Sequence, residues 1–223
     1  MRLTGPMRIG WESAKANAVP MAVLWTLAAA TVGAYYFIPC LHPWFEGVAR
    51  WQRAGGWLSA FASKAVMCGI LPGAFLVALP AIRPRRLTMT ILSFVVWNGA
   101  WGVICDWIFR VQKLCFGSDL RLSTIVLKTV VDQFVVTPLL VAPASAVFFF
   151  WMGRDFSLVR VGREWPPRFW LDLVAPNLLS NWCVWIPVAM AVFAMPLDLQ
   201  IHVSGFFCAF WCLMGLEIGK RTK

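Results

Sequence analysis

The chain has 223 residues, of which 60% are hydrophobic and 13% are charged, and its formal net charge is +10. A soluble domain is about half apolar and about a quarter charged, so this composition leaves too little charge to cover a surface in water. It excludes disordered and collagen-like proteins, and it argues against nucleic-acid binding because no basic stripe with interleaved aromatic residues is visible. A helical membrane protein with several spans is predicted instead.

Six apolar segments follow one another along the chain, each close to the roughly 20 residues that a helix needs to cross the hydrocarbon core. In chain order they are Val19–Ile38, Leu58–Ile82, Leu87–Phe109, Leu122–Trp151, Leu173–Leu197 and Leu199–Ile218. The last two are separated so briefly that we expect either a tight turn between two spans or one segment that is tilted or broken.

The fold class predicted from these segments is all-α, a polytopic helical membrane bundle of about six helices with four as the minimum. Residues 1–50 would comprise a basic N-terminal segment and an added membrane helix, and residues 51–223 would form the bundle. The first residues, with Arg2, Arg8 and Lys15, are interpreted as either a weak targeting stretch or a cytoplasmic anchor.

The basic residues between the segments predict an orientation. With six spans, 13 Lys and Arg residues lie on the side of both termini and 5 lie on the other side. The more basic side is normally the cytoplasmic one or its organellar equivalent, so both termini are expected there. The lipid bilayer is the expected partner, with anionic lipids at the basic loops, and the chain could also form a homo-oligomer.

Polar side chains inside the apolar segments are the candidate functional residues, since ionisable groups are costly in a membrane. Lys128 and Asp132 are spaced i, i+4 and can pair on one helix face, and Gln133 follows directly. Asn181 lies in the fifth segment and needs a partner on a neighbouring helix. These four residues either line a water-filled path or lock helices together, and the pattern favours the second interpretation without excluding the first.

Helix-breaking and aromatic residues add detail to this picture. Prolines inside the segments predict bent helices. Gly69 and Gly73 are spaced for close approach of a second helix, and Lys64 is expected to extend towards the headgroups. Many of the 14 Trp residues fall near segment ends, which is typical of an aromatic belt at the membrane interface. The prolines concerned are Pro72, Pro138, Pro143, Pro176 and Pro187.

Enzyme chemistry is not expected. The chain has no paired carboxylates, no phosphate-binding glycine loop and no nucleophile elbow, and its only histidines are His42 and His202. The seven cysteines contain no Cys-x-x-Cys pair, and we interpret them as reduced packing residues. No catalytic residue, metal site or cofactor is therefore predicted.

The C-terminal half resembles a known family of membrane proteins. The stretch Lys128-Thr-Val-Val-Asp132-Gln133-Phe-Val-Val-Thr-Pro138 is similar to the Asp-Gln-x4-Pro helix of the Mpv-type family, also called the twenty-two-kilodalton peroxisomal membrane protein family. Asn181 and the residues after it are similar to the family's Leu-Leu-x-Asn-Trp-x-x-Trp-Pro signature and its later segments. The matching positions there are Trp182, Trp185, Pro187, Phe193, Pro196 and Trp211.

The resemblance covers about residues 90–220 and includes departures from the family pattern. An additional Ile separates Trp185 from Pro187, and the polar residues of the family correspond here to Ala189, Val192, Gln200 and Cys212. Several polar groups that could line a path are thus replaced, which indicates a diverged member.

The resemblance implies a small bundle in the mitochondrial inner or peroxisomal membrane, or in the cytoplasmic membrane of a bacterium. It also implies a channel-like protein that passes small solutes or ions and influences membrane potential or homeostasis. The alternative is a protein that transports nothing and acts as a structural, assembly or lipid-organising component of the membrane.

Overall fold

The computed structural model describes residues 18–78, 80 and 83–221, and its regular elements in these ranges are all helices. The basic N-terminal residues and the side chain of Trp211 lie outside what is described. The main helices are α1 Ala18–Phe37, α2 His42–Gly55, α3 Trp57–Ala78, α4 Leu87–Phe116, α5 Leu122–Gly153, α6 Leu158–Arg163, α7 Ala175–Phe193 and α8 Leu197–Arg221.

Three of these helices, α3, α4 and α5, are long and apolar enough to cross a membrane. A fourth crossing results if Met21–Phe37 of α1 and Pro39–Gly55, which includes α2, count as one span, although the two parts are bent by 93°. An all-helical protein with helices long and apolar enough to cross a membrane is therefore confirmed. The count of six spans stays a prediction, since the apolar stretch recognised in α7 is the shorter Asn181–Phe193.

Helices α3 and α4 pack in direct backbone contact because glycines replace larger residues at their interface. A Cβ atom on Gly69 would lie 2.6 Å from the Cα of Val95, and one on Gly102 would collide with the carbonyl oxygen of Ala60. The close approach expected at Gly69 is confirmed. Gly99 and Gly102 on α4 allow the same close approach to α3. Small residues at the contact are usual where helices associate in lipid.

Most of the prolines are accommodated by π-helical turns, whose wider ring leaves out the hydrogen bond that a proline cannot donate. Such turns occupy Ala65–Ile70 within α3, Asp132–Val141 within α5, and Trp170–Val174 just before α7. The second contains Pro138, and each of the other two ends shortly before a proline. Pro187 differs, since it lies inside the α-helical part of α7.

Helix α2 was not predicted as an element. It buries Phe45 and Ala49 and exposes Trp44, and it contacts α3 and α8. It therefore covers the end of the bundle where α3 and α8 begin, which we call the α2 end. The chain turns from α2 into α3 at Gly56, whose φ of 51° favours glycine.

Side-chain contacts fix the relative directions of the helices. Ser63 contacts His202, so α3 and α8 run parallel from the α2 end. Trp25 and Tyr36 donate hydrogen bonds to the carbonyl oxygens of Val184 and Ala194, so α1 and α7 run parallel towards that end. The apolar core lies where α1, α7 and α8 meet, around Leu24, Val184, Val188, Met195 and Phe207.

Candidate functional site

The structure places Asp132 differently from the sequence-based expectation. No ion pair joins it to Lys128 among the described residues, although Lys128 is buried. The Asp132 carboxylate instead accepts hydrogen bonds from Gln133 Nε2 at 2.7 Å and Gln112 Nε2 at 3.5 Å. The expected i, i+4 pair is wrong because amides, one of them from α4, hold this carboxylate.

The same region also connects α5 to α7. Trp182 Nε1 donates a 2.7 Å hydrogen bond to the backbone oxygen of Gln133, and its ring lies 5.1 Å from that of Phe134. We call Gln112, Asp132, Gln133 and Trp182 the Asp132 cluster, and it joins three helices. Asn181 is half-buried beside Trp182, and no hydrogen bond connects its side chain to this cluster within the described residues.

Phe193, Trp185 and Pro196, on which the family resemblance also rests, lie in packing or turn positions. Phe193 is buried with its ring 5.6 Å from that of Phe109, and Trp185 packs against the apolar core. Pro196 is in the turn between α7 and α8, where its oxygen accepts from the backbone N–H of Leu199 at 2.8 Å.

A second polar cluster, which the sequence did not indicate, lies at the α2 end. Gln52 is completely buried, and its Nε2 donates to Asp106 Oδ1 at 3.1 Å. Ser59 Oγ donates to Gln52 Oε1 at 2.6 Å, and Arg110 Nε donates to Asp106 Oδ2 at 2.7 Å. We call these four residues the Gln52 cluster. The i, i+4 spacing of Asp106 and Arg110 was the one signal that could have revealed part of it.

Deeper in the bundle, polar residues continue along the inner face of α3. Ser63 Oγ lies 2.9 Å from His202 Nδ1, and the His202 ring stacks on Trp51 at 5.1 Å. Lys64 is buried, and its side chain runs beside Gly102 of α4 and Gly205 of α8. The expectation that Lys64 extends towards the headgroups is therefore wrong, because two glycines make room for it inside the bundle.

A cavity of about 400 Å³ opens beside the Gln52 cluster. Its polar lining comes from α2, α4 and the start of α8, and two Trp side chains form its rim. We call it the Arg110 cavity; the residues that line it and enter the argument are Gln52, Arg53, Trp57, Asp106, Trp107, Arg110 and Asp198.

Arg53 separates this cavity from a neighbouring one of about 510 Å³ that His42 and Glu46 line, since Arg53 and Asp198 border both. Arg53 Nη1 donates to Asp198 Oδ2 at 3.1 Å, and its Nη2 donates to Glu46. These hydrogen bonds, first to Asp198 and then to Glu46, hold the pKa of the Arg53 guanidinium above its usual value. The cation therefore stays charged and ties α2 to α8.

Among the described residues, no group of three or more His, Cys, Asp or Glu side chains is arranged to hold a metal ion. The geometry does provide hydrogen-bonding capacity inside an apolar bundle. The side-chain oxygens of Gln112 and Gln133 and the Nε2 of His202 are buried and have no hydrogen-bond partner in the described part of the chain. No known protein family, curated protein or solved structure matches this chain.

Proposed function

We propose that this chain is a channel-like integral membrane protein that passes small solutes or ions and so influences membrane potential or homeostasis. The observation that supports it best is the set of ionisable side chains buried among its membrane-length helices. Lys64, Asp106 and Lys128 are each less than a tenth exposed. Such groups are costly in a membrane and typically mark a polar path or a buried pair.

The polar route in this proposal begins at the α2 end. It runs from the Gln52 cluster along Ser63, Lys64 and His202, where buried polar atoms follow one another between α3, α4 and α8. In this proposal the fully buried Gln52 side chain blocks the entrance, and the conformation described above would be the closed state. Opening would require α2 to move, and the turn at Gly55 and Gly56 is where that movement would start.

The proposal includes six crossings, with α2 lying across the α2 end instead of spanning. It is supported by the parallel course of α3 with α8 and of α1 with α7. In this arrangement both termini are on the opposite side from Arg50, Arg53 and Arg110, and the 13 basic residues on the terminal side favour the cytoplasmic face for it.

Membership of the Mpv-type family is part of the same proposal. It is supported by the contact of Trp182 with Gln133, since these residues belong to the two stretches that resemble the family most. The membrane would then be the mitochondrial inner or peroxisomal one in a eukaryote and the cytoplasmic one in a bacterium. A catalytic activity is not part of it.

The test is solute release from liposomes that contain the purified protein, loaded with neutral and charged sugars or dyes of graded size. We expect release that falls with increasing solute size and that changes when Lys64→Met removes the buried cation. The matched control is Lys113→Met, which removes a Lys near the end of α4. Vesicles that stay tight although the protein is folded and inserted would contradict the proposal.

The alternative function, a structural, assembly or lipid-organising role, is favoured by a different observation. The Asp132 cluster joins α5 to α7 through a 2.7 Å hydrogen bond from Trp182 and joins α5 to α4 through a longer one, at 3.5 Å, from Gln112, as a helix lock requires. This alternative predicts that the double variant Lys128→Met, Asp132→Leu retains cellular function when it folds and inserts normally. Loss of function in a normally inserted variant would argue against it.

A further inference from the structure

The Arg110 cavity lies at the depth of the lipid headgroups. From Leu87 to Trp107, helix α4 advances about 30 Å, at 1.5 Å per residue, which equals the thickness of a typical hydrocarbon core. Trp57 begins α3 at the same end, and both Trp side chains are 65% exposed at the rim of the cavity. Exposed Trp side chains mark the membrane interface, and α4 continues beyond Trp107 to Phe116, past the length that the hydrocarbon core requires.

The cavity presents unused hydrogen-bond donors at this depth. A guanidinium carries five N–H groups, and Arg110 uses two of them on Asp106 while Arg53 uses one on Asp198 and one on Glu46. The remaining N–H groups have no acceptor among the described residues. Both Arg side chains are about half exposed, at 41% and 48%, so these donors are accessible. They are suited to the oxygens of a phosphate group.

The charges around the cavity are balanced, which selects the type of phosphate ligand. Arg53 and Arg110 face Asp106 and Asp198, so the lining has no net charge. A neutral lining gives little attraction to a ligand with a net negative charge. It suits a zwitterion, whose phosphate meets the guanidinium groups while its ammonium group meets the Asp198 carboxylate and the faces of Trp57 and Trp107.

We propose that the Arg110 cavity binds the headgroup of a zwitterionic phospholipid, with the acyl chains extending between the rim tryptophans along α3 and α4. The cavity volume of about 400 Å³ is within the range of small-ligand sites. The cavity adjoins the Gln52 cluster, where the proposed polar route begins, but the test of this inference measures lipid retention and not solute release, so the two proposals can fail separately.

The test compares lipids with the same acyl chains, phosphatidylethanolamine and phosphatidylglycerol, added to the full-length protein in a non-ionic detergent. Native mass spectrometry measures the fraction of protein that retains each lipid. We expect preferential retention of phosphatidylethanolamine, and a decrease in affinity of about tenfold for Arg110→Gln, which removes charged hydrogen bonds. Arg121→Gln is the matched control, since this exposed Arg lies at the same end but outside the cavity.

Arg110 also forms an ion pair with the buried Asp106, so Arg110→Gln changes the stability of the protein as well as the lipid site. A second variant separates these two effects. Trp107→Ala changes only an exposed rim residue, and we expect it to fold normally and to weaken retention of phosphatidylethanolamine. Equal retention of phosphatidylglycerol would overturn the choice of headgroup, and unchanged retention in both variants would overturn the site. Free phosphoethanolamine that displaces the lipid at equal concentration would show that the ligand is a soluble molecule, and would also overturn the proposal.

Discussion

Gln52 has both polar atoms of its side chain hydrogen-bonded although it is fully buried. Its Nε2 donates to Asp106 and to the backbone oxygen of Gly56, and its Oε1 accepts from Ser59. A buried amide with complete partners fixes the position of three helices relative to one another, because every other arrangement leaves a polar group without a partner.

Replacing Gln52 by Leu should therefore destabilise the protein by about 1–3 kcal/mol, since the buried Asp106 loses a donor and Ser59 retains only backbone acceptors such as the Gly56 oxygen. The measurement is thermal unfolding in detergent. The control on the same helix is Arg50→Leu, at an exposed position, which should have a much smaller effect. Equal destabilisation by the two variants would mean that the hydrogen bonds of Gln52 contribute nothing specific.

The polar residues also show how far single positions can be predicted from the sequence. Lys128, Asp132 and Gln133 were identified because charges in an apolar segment are conspicuous, but the partner assigned to Asp132 was wrong. Its neighbours come from positions such as Gln112, 20 residues away, and Gln52 lies 54 residues from Asp106. Helix periodicity reports partners within one helix only, so these contacts between helices could not be predicted.

At the scale of elements, the closeness of α3 and α4 depends on glycines that have no room for a larger residue. Gly102→Ala should cost about 1–3 kcal/mol of unfolding free energy, since the added methyl group collides with the Ala60 carbonyl oxygen. Gly33→Ala is the matched control, because a Cβ there meets nothing within 4 Å and the change should be neutral or slightly stabilising. The expectation fails if Gly102→Ala unfolds at the same temperature as Gly33→Ala.

Helix α2 is held to α8 by the ion pair of Arg53 with Asp198, both of which line the cavities. If α2 closes the polar route, Arg53→Gln should increase solute release from liposomes by about twofold, since exposed ion pairs contribute little individually. Arg121→Gln, which removes an exposed Arg beside Asp119, should leave release unchanged. A decrease in release with Arg53→Gln would mean that α2 does not act as a closure.

The helix bounds predicted from the sequence agree with the structure where a helix coincides with a continuous apolar segment, and they differ elsewhere. Val19–Ile38 was expected for α1, and the helix is Ala18–Phe37. Helix α4 begins at Leu87 as expected but continues to Phe116, because Arg110 can remain helical while paired with Asp106. Helix α2 was missed since its apolar residues occupy one face only, and a search for continuous apolar runs does not detect it.

At the scale of the whole molecule, the proposed topology places two exposed thiols on one side of the membrane. Cys40 follows α1, Cys115 lies near the end of α4, and both are exposed, whereas Cys68 is buried. In sealed vesicles of one orientation, a membrane-impermeant maleimide should modify Cys40 and Cys115 from the same side and leave Cys68 unmodified. Three variants that each retain one of these cysteines show which position reacts, because modification increases the mass of the protein.

A tag at either terminus should be accessible only from the opposite side. Modification of Cys40 and Cys115 from different sides would contradict the even number of crossings between them, and with it the position of α2 at the membrane surface.

The π-helical turns in α3 and α5 have a consequence for tolerance of length changes. Deleting one residue from an ordinary membrane helix rotates everything after it by about 100°, which turns buried side chains towards lipid. A π-helical turn holds an additional residue, so deleting one residue within Ala65–Ile70 or Asp132–Val141 restores the α-helical repeat, at the cost of placing Pro72 or Pro138 in an ordinary α-helical turn. These are the two places in the membrane-length helices α3, α4 and α5 where losing a residue would keep the register of the faces on both sides.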